Sequence, residues 1–197
     1  SLIIVGFFVL GTICGVCHLL PFDIAETNIS YYALCALMFS VGLSVGNDPQ
    51  TLKNFRSLNP RLVFLPIMTI LGTLAGSAAV SLILTHRSIT DCLAVGSGFG
   101  YYSLSSIFIT EYKGAELGTI ALLANISREI LTLLAAPLLV RWFGNLAPIS
   151  AGGATTMDTT LPIITRTAGQ QFVVVSIFHG FVVDFSVPFL VTLFCSI

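Results

Sequence analysis

The sequence predicts an all-α polytopic integral membrane protein, and three observations support this fold class. The 197-residue chain is 55% hydrophobic and only 9% charged, whereas soluble domains carry about 25% charged residues. Its mean hydropathy is +0.97. Apolar stretches of about 20 residues, the length of a membrane-spanning helix, recur along the chain. A net charge of −1 gives no indication of nucleic-acid binding.

Six stretches are apolar enough to be membrane spans, and a seventh is ambiguous. The six are 1–20, 29–46, 62–85, 90–110, 118–143 and 171–196. The stretch 147–168 is too polar for an ordinary span and too apolar for a surface loop. We favour a crossing by 147–168 as a broken helix, which gives about seven transmembrane segments, one or two of them discontinuous. A re-entrant course for 147–168 is the alternative.

The positions of Lys and Arg predict the orientation, because basic residues accumulate on the cytoplasmic side. With seven crossings and a cytoplasmic N-terminus, only Arg87 and Arg141 lie outside, and the C-terminus is external. The basic residues expected inside are Lys53, Arg56, Arg61, Lys113 and Arg166.

The segment GSGFGYYSLSS (96–106) places three glycines within five positions of an apolar stretch. Glycine loosens a helix, and Gly98 lies at the centre of this loosened part. Ser97 and Ser103 add hydroxyl groups. A break in a membrane helix is tolerated only beside a cavity or other protein. The segment therefore indicates a substrate-lining interruption, and tight helix packing is the alternative.

The segment AGGATTMDTTLP (151–162) is a second candidate interruption. Thr155, Thr156 and Thr159 supply hydroxyls, and Asp158 supplies a carboxylate. Apolar residues follow directly, which favours a position in the membrane over a polar external loop. We expect this segment to contribute to a substrate or ion site.

Charged residues inside the span 118–143 indicate a functional site, because ionisable groups in lipid are costly. Asn125 precedes Glu129 by one helical turn, and Arg128 points about 100° away from Glu129. We expect Arg128 to pair with Asp158, which leaves Glu129 for a cationic ligand or a proton. A purely structural ion network is the alternative.

The last span contains His179 and Asp184. A histidine side chain titrates near neutral pH, so His179 could relay protons. A structural, hydrogen-bonded histidine is equally consistent with the sequence. We expect Asp184 to lie nearer the outer surface, away from the site.

The sequence gives no indication of enzymatic chemistry, a metal site or a cofactor. Cys14 and Cys17 form a CxxC pair inside an apolar stretch, and no His or Cys cluster supplies further ligands. Small apolar packing residues are the simpler interpretation. A nucleophile next to a base is not recognisable either.

Several of these motifs, in this order, resemble the LysO-type lysine exporters. They are MFSVGLSVGND (38–48), SGFGYYSLSS followed by ITE (97–111), SREI around Glu129, GATTMDTTLPIITRTAG (153–169) and HGF (179–181). The resemblance covers essentially the whole chain. It implies a bacterial inner-membrane protein that exports L-lysine and its toxic analogues, with Glu129 as a substrate or coupling-ion residue.

The resemblance also bears on domain organisation. Single-chain members of the family carry further membrane segments before the matched part, and split pairs contain a short N-terminal subunit and a longer partner that this chain resembles. We expect one transporter domain, 1–197. Three additional spans would give ten in total, which suits two inverted repeats. The region 61–197 would then be a five-helix repeat, and 1–46 would be the end of the preceding repeat.

The predicted function is export of L-lysine coupled to proton antiport through the intramembrane acidic residues. The alternatives are a transporter for another small ion or amino acid, and a non-transporting subunit that needs a partner chain. The expected partners are lysine, protons and the lipid bilayer, and a homo-oligomer is left open.

Overall fold

The computed structural model describes residues 60–84 and 86–197, together with four isolated positions nearer the N-terminus. The chain divides into two compact units, Ser1–Asn47 and Asp48–Ile197, and the described residues belong almost entirely to the second. The spans predicted at 1–20 and 29–46 lie outside the described residues.

The described part of the second unit is helical throughout. Its α-helices are α1 (Pro60–Ser81), α2 (Ile89–Gly96), α3 (Tyr102–Lys113), α4 (Ala115–Phe143), α5 (Ala147–Gly152), α6 (Leu161–Ala168) and α7 (Val173–Ser196). Two short 3-10 turns, Gly153–Met157 and Gln170–Phe172, precede α6 and α7.

Three helices are long and apolar enough to cross a membrane, namely α1, α4 and α7. At 1.5 Å per residue, the 22 residues of α1 extend over about 33 Å, which matches the hydrocarbon core of a bilayer. Gly114 and Gly144 bound α4 with positive φ angles of 93° and 86°. These helices confirm that long apolar helices lie at the predicted stretches 62–85, 118–143 and 171–196, although α1 ends at Ser81.

Helices α2 and α3 form a hairpin, which we call hairpin 1 (89–113). They contain 8 and 12 residues, and neither reaches the length of about 20 residues that a span needs. Lys113 Nζ at the end of α3 lies 3.7 Å from Asp91 Oδ1 at the start of α2. The predicted crossing at 90–110 is therefore wrong, because the segment returns to the end where it enters. The predicted interruption is present, and it forms the tip of hairpin 1.

Helices α5 and α6 form a second hairpin, which we call hairpin 2 (147–168). Ile149 near its start and Ala168 at its end belong to one buried cluster, together with Val175 at the start of α7. Val140 near the end of α4 packs against the same cluster. The favoured crossing by 147–168 is therefore wrong, and the re-entrant alternative describes the segment.

The two hairpins enter the bundle from opposite ends. Hairpin 1 follows the C-terminal end of α1, and hairpin 2 follows the C-terminal end of α4, which runs in the reverse direction. A long helix followed by a hairpin therefore occurs twice in inverted orientation. The larger five-helix repeat over 61–197 stays a prediction.

The hairpins also change where the basic residues lie. Arg87 and Lys113 were expected on opposite sides, but each forms an ion pair at the end where hairpin 1 enters. Arg141 and Arg166, also expected on opposite sides, belong to the ends of α4 and α6 that meet at the hairpin 2 end. The chain leaves a re-entrant hairpin on the side of the membrane where it entered. Residues that follow a hairpin therefore lie on the opposite side from the one predicted for a crossing segment.

Candidate functional site

The tips of the two hairpins meet inside the bundle, beside the middle of α4. The backbone N–H of Ala154 donates a hydrogen bond to the carbonyl oxygen of Phe99, with an N···O distance of 2.9 Å. A Cβ atom placed on Gly100 would lie 3.2 Å from the carbonyl oxygen of Gly152. The backbones therefore approach each other at the distance of direct contact. We call this contact the tip crossing.

Phe99 has an unusual backbone conformation at the tip of hairpin 1. Its φ angle is +46°, in the left-handed region that bulky residues rarely adopt. Its side chain is fully buried, and the guanidinium carbon of Arg128 lies 5.9 Å from the ring centroid, which is cation–π distance. Strained backbone of this kind is found at functional sites and persists when surrounding contacts hold it.

Asn125 on α4 holds the tip of hairpin 1. Its Oδ1 accepts a hydrogen bond from the backbone N–H of Gly100 at 2.8 Å. Its Nδ2 donates to the carbonyl oxygens of Ala121 and Val95, at 2.9 and 3.2 Å. A Cβ on Gly98 would collide with the Asn125 amide. Asn125 and Gly98 therefore support the tip through their own contacts.

Arg128, one turn further along α4, holds hairpin 2. Its Nε donates to the carbonyl oxygen of Ala151 at 2.8 Å, and its Nη2 donates to that of Ser150 at 3.1 Å. Its Nη1 lies 3.4 Å from Thr73 Oγ1 on α1. The last carbonyls of a helix lack intrahelical donors and carry partial negative charge, so the guanidinium caps α5.

The expected ion pair between Arg128 and Asp158 is not formed. The guanidinium is occupied by the α5 carbonyls, and the ion pairs of the described residues are Arg87–Glu116 and Asp91–Lys113. The sequence predicted that Arg128 pairs with the opposite charge of Asp158. In the structure the guanidinium donates instead to the carbonyl oxygens at the end of α5.

Glu129 belongs to the packed face of α4. It lies four residues after Asn125 and three before Thr132, which are both buried, so the three residues share one stripe of the helix. Glu129 is half-buried. Within the described part of the chain, its carboxylate makes neither a hydrogen bond nor an ion pair.

Two further carboxylates lie within electrostatic reach of Tyr101, which follows the tip of hairpin 1. Asp158 is exposed at the end of the 3-10 turn, and it accepts a hydrogen bond from the backbone N–H of Thr159. Asp184 lies midway along α7 and is only 7% exposed. Both carboxylates interact electrostatically with Tyr101, and Asp184 interacts with Asp158. Asp184 was expected to lie away from the site, and its interactions with Tyr101 and Asp158 place it beside the site residues instead.

The position of Asp184 follows from how α7 packs on hairpin 2. A Cβ placed on Gly180 would lie only 2.7 Å from the backbone nitrogen of Met157. Asp184 lies one helical turn beyond Gly180 on the same face of α7. Asp184 is therefore one helical turn from the contact between Gly180 and Met157, and Asp158 is the residue that follows Met157.

The remaining predicted site residues lie in the hairpins or beside them. Ser97 is fully buried and donates to the carbonyl oxygen of Leu93 at 2.6 Å. Thr155 donates to the carbonyl oxygen of Gly152 at 2.9 Å. Thr156 contacts His179 on α7, with an Oγ1···Nδ1 distance of 3.2 Å. Ser103, in the first turn of α3, and Thr159 are exposed.

Two cavities approach Arg128 from opposite ends of the bundle. The larger, of 770 Å³, extends from His86 and Arg87 to Arg128 between α1, α2 and α4. The smaller, of 410 Å³, extends from Phe143 at the hairpin 2 end to Arg128. Thr73 and Arg128 line both cavities, so their contact separates the two spaces.

Comparison with protein families identifies the family of this chain. Residues 5–195 match the family described as lysine exporter LysO. This chain belongs to the LysO family. No solved structure matches it.

Two relatives show how LysO-family proteins differ in length. The lysine exporter LysO of Escherichia coli K12 is 36% identical over 196 residues, which cover the whole of this chain and 64% of that protein. A Haemophilus influenzae Rd protein, provisionally named a lysine exporter, is 34% identical over 196 residues and is covered to 96%. The chain thus spans just under two thirds of the Escherichia coli relative.

In this LysO-family chain, sequence reasoning missed three residues of the tip crossing and its surroundings. Asp184 had a recognisable signal, since a carboxylate in the middle of an apolar span is a functional candidate by default. Thr69 and Thr73 on α1 had none, because isolated threonines are common in membrane helices. Their importance follows only from their contacts with His179 and Arg128.

Proposed function

We propose that this chain forms the transport core of an exporter of L-lysine and its analogues in the bacterial inner membrane. The observation that carries the proposal is the tip crossing, where two re-entrant hairpins meet beside three carboxylates. Interrupted helices that meet at mid-membrane are how many transporters expose helix ends and backbone groups to a substrate. Membership of the LysO family and the name of the Escherichia coli relative support lysine as the substrate.

The chemistry of lysine suits the part of the site that contains Asp158 and Asp184. Lysine carries two ammonium groups and one carboxylate at neutral pH. Asp158 and Asp184 provide negative charge for an ammonium group, and Tyr101 lies within their electrostatic reach. Because α3 starts at Tyr102 without a side-chain cap, and the Tyr102 N–H already donates to Gly100, the N–H groups of Ser103 and Leu104 are those that can receive the carboxylate.

Glu129 is the third acidic residue and our candidate for coupling. Its carboxylate has no partner among the described residues, so it is available to bind either a proton or the second ammonium group. Competition between these two ligands for one carboxylate would link lysine export to proton entry. Arg128, in contrast, is held by the α5 carbonyls and serves to position hairpin 2.

The distribution of basic residues supports a cytoplasmic position for the hairpin 2 end. Arg61 near the start of α1, Arg141 and Arg166 lie at this end. Lys53 and Arg56 precede α1 in the sequence. At the other end of the described helices the Lys and Arg residues are Arg87 and Lys113, so the hairpin 2 end has the excess of basic residues. By the positive-inside rule, hairpin 1 then enters from outside and hairpin 2 from the cytoplasm.

A subunit that needs a partner chain is the second candidate function. Ser103, Asp158 and Thr159 are exposed although they lie near the tip crossing. In a membrane, exposed polar groups at this depth require a water-filled cavity or further protein against them. The part of the longer Escherichia coli relative that this chain does not cover, or a separate short subunit, could supply that protein.

Resistance to a toxic lysine analogue tests the proposal. An exporter-deficient bacterium would express the chain alone, or together with a short N-terminal partner. We expect resistance from the chain alone or from the chain with its partner, and we expect Glu129→Gln to abolish that resistance. Glu111→Gln, which removes an exposed carboxylate near the end of α3, is the matched control and should keep resistance. Absence of resistance in both combinations despite confirmed membrane expression would contradict lysine export.

A further inference from the structure

A chain of hydrogen bonds runs from the smaller cavity to His179 inside the bundle. His179 is fully buried, and its Nε2 lies 2.9 Å from Thr69 Oγ1 on α1. Thr69 Oγ1 lies 2.6 Å from Ser150 Oγ on α5. Both hydroxyl residues line the smaller cavity, so the chain begins there. On the other side of the ring, Nδ1 lies 3.2 Å from Thr156 Oγ1.

The other partners of Thr156 determine the direction of these hydrogen bonds. Its Oγ1 lies 2.8 Å from the carbonyl oxygen of Gly153 and 3.0 Å from that of Ser176. The Thr156 hydroxyl donates its single proton toward these carbonyls, so its oxygen is the acceptor toward His179. A hydrogen bond between His179 and the backbone of Gly153 favours the same direction, with the ring as donor. Nδ1 therefore carries a proton, and Nε2 of the neutral ring is an acceptor. It follows that Thr69 donates to Nε2 and Ser150 donates to Thr69.

We propose that His179 is a proton-binding residue that, in this arrangement, exchanges its proton with the smaller cavity through Ser150 and Thr69. A proton from the cavity forms a new O–H bond at Ser150, and the original Ser150 proton moves to Thr69. The original Thr69 proton moves to Nε2 of His179. Two O–H bonds break, two O–H bonds and one N–H bond form, and the ring becomes an imidazolium that keeps its Nδ1 proton.

The relay ends at His179. Thr156, beyond the ring, donates its proton to a backbone carbonyl, and a carbonyl cannot pass a proton on. In this arrangement a proton on His179 therefore exchanges only with the smaller cavity. An antiporter requires access from one side at a time, so release of the proton to the opposite side would follow a rearrangement of hairpin 2. This link to antiport rests on the proposed function, whereas the direction of the hydrogen bonds does not.

Loading changes the electrostatics of hairpin 2. Arg128 acts on His179 electrostatically from α4, and Asp184 follows His179 on α7 itself. An imidazolium near Arg128 places two positive charges in a buried region, where repulsion is poorly screened. Since Arg128 holds the carbonyls of Ser150 and Ala151, loading favours release of hairpin 2 from α4.

Nitrogen NMR spectroscopy of the intact chain in lipid vesicles tests the proton site without lysine. The His179 signals are those that disappear in His179→Asn. We expect the neutral ring to carry its proton on Nδ1, with Nε2 as an acceptor. Thr69→Val keeps the side-chain shape but removes the hydroxyl, so it should shift the Nε2 signal, and Thr69→Ser should restore it. A neutral wild-type ring with its proton on Nε2 would overturn the proposal.

Flux measurements in vesicles test the consequence for transport. Lysine movement driven by a pH gradient requires proton loading, whereas lysine–lysine exchange does not. We expect Thr69→Val to lose about tenfold or more of the gradient-driven flux and to keep exchange, while Thr69→Ser keeps both. Equal loss of both fluxes, or an unchanged gradient-driven flux, contradicts the proposal. If wild-type protein moves lysine in neither assay, the proposed function fails, and the NMR result decides the proton site by itself.

Discussion

The carbonyl oxygen of Phe99 and the backbone nitrogen of Ala154 lie 2.9 Å apart, although the two residues belong to hairpins that enter the bundle from opposite ends. This hydrogen bond joins two backbone groups. The two backbones can approach this closely because residue 153, next to Ala154, is a glycine without a side chain. A Cβ on Gly153 would collide with the Phe99 carbonyl. The tip crossing therefore depends on glycine at position 153.

Replacement of Gly153 by alanine should separate the hairpin tips. Gly153 has a φ angle of +65°, which costs an alanine about 1–2 kcal/mol, and the collision with Phe99 adds to this cost. We expect lower thermal stability of the purified protein and loss of lysine-analogue resistance. Gly72→Ala on α1 is the matched control, because a Cβ there meets no atom within 4 Å. Equal behaviour of the two variants would show that the close approach is unimportant.

The re-entrant course of both hairpins predicts which residues face the same side of the membrane. In a chain without its five native cysteines, single cysteines would replace Ile89, Ala115, Asn145 and Gln170, all of which are exposed. We expect an impermeant thiol reagent added to intact cells to label positions 89 and 115. Positions 145 and 170 should react only after the cells are opened.

Two crossing segments would give a different labelling pattern. Position 115 would then lie opposite to position 89, and position 170 opposite to position 145. Labelling of one member of either pair from outside, with protection of the other, would contradict the hairpins. Labelled Ser196→Cys, near the exposed end of α7, serves as a control for access to the outer surface.

The sequence was sufficient to locate both interruptions but not to determine their course. Glycine, threonine and a carboxylate in apolar surroundings mark a place where a helix cannot continue in lipid. The direction of the chain after that place depends on contacts between distant residues. For hairpin 1 it depends on Asp91 and Lys113, and hydropathy contains no information on such pairs.

The candidate site was predictable as a set of residues but not as a set of roles. Asn125, Arg128 and Glu129 are all near the tip crossing, as expected from polar groups in an apolar helix. Their roles differ because each points to a different neighbour. Asn125 and Arg128 bind backbone groups of one hairpin each, and the Glu129 carboxylate has no partner among the residues that the structure describes. Such distinctions require the positions of the partners.

Replacement of Asn125 by leucine should destabilise hairpin 1. Leucine has a similar volume but leaves the N–H of Gly100 without its acceptor, whereas the carbonyl of Val95 keeps the N–H of Gly98 as a donor. An unsatisfied buried group costs about 1–3 kcal/mol, so we expect a clear fall in the unfolding temperature in detergent. Thr119→Val is a suitable control, since its exposed hydroxyl bonds only to its own helix, at Ala115. An unchanged unfolding temperature for the leucine variant would argue against this role of Asn125.

Replacement of Arg128 by lysine should release hairpin 2 while conserving the charge. An ammonium group cannot donate to two carbonyls in the fixed geometry of a guanidinium, so the contacts with Ser150 and Ala151 should not both survive. We expect faster proteolysis within 147–168 and loss of lysine-analogue resistance. Arg141→Lys, at the exposed end of α4, should leave both measurements unchanged. Normal resistance in Arg128→Lys would mean that charge alone is sufficient.

Asp184 and Asp158 should act together on one cation. If both carboxylates face the same ammonium group, Asp184→Asn and Asp158→Asn should each weaken lysine binding, and the double variant should lose less than the sum of the two effects. Equilibrium binding of lysine to the purified protein measures all three variants, with Glu111→Gln as the control for removal of an exposed negative charge. Strictly additive losses would place the two carboxylates at separate cations. Unchanged binding in Asp184→Asn would remove Asp184 from the site and leave its burial beside Tyr101 as a structural feature of α7.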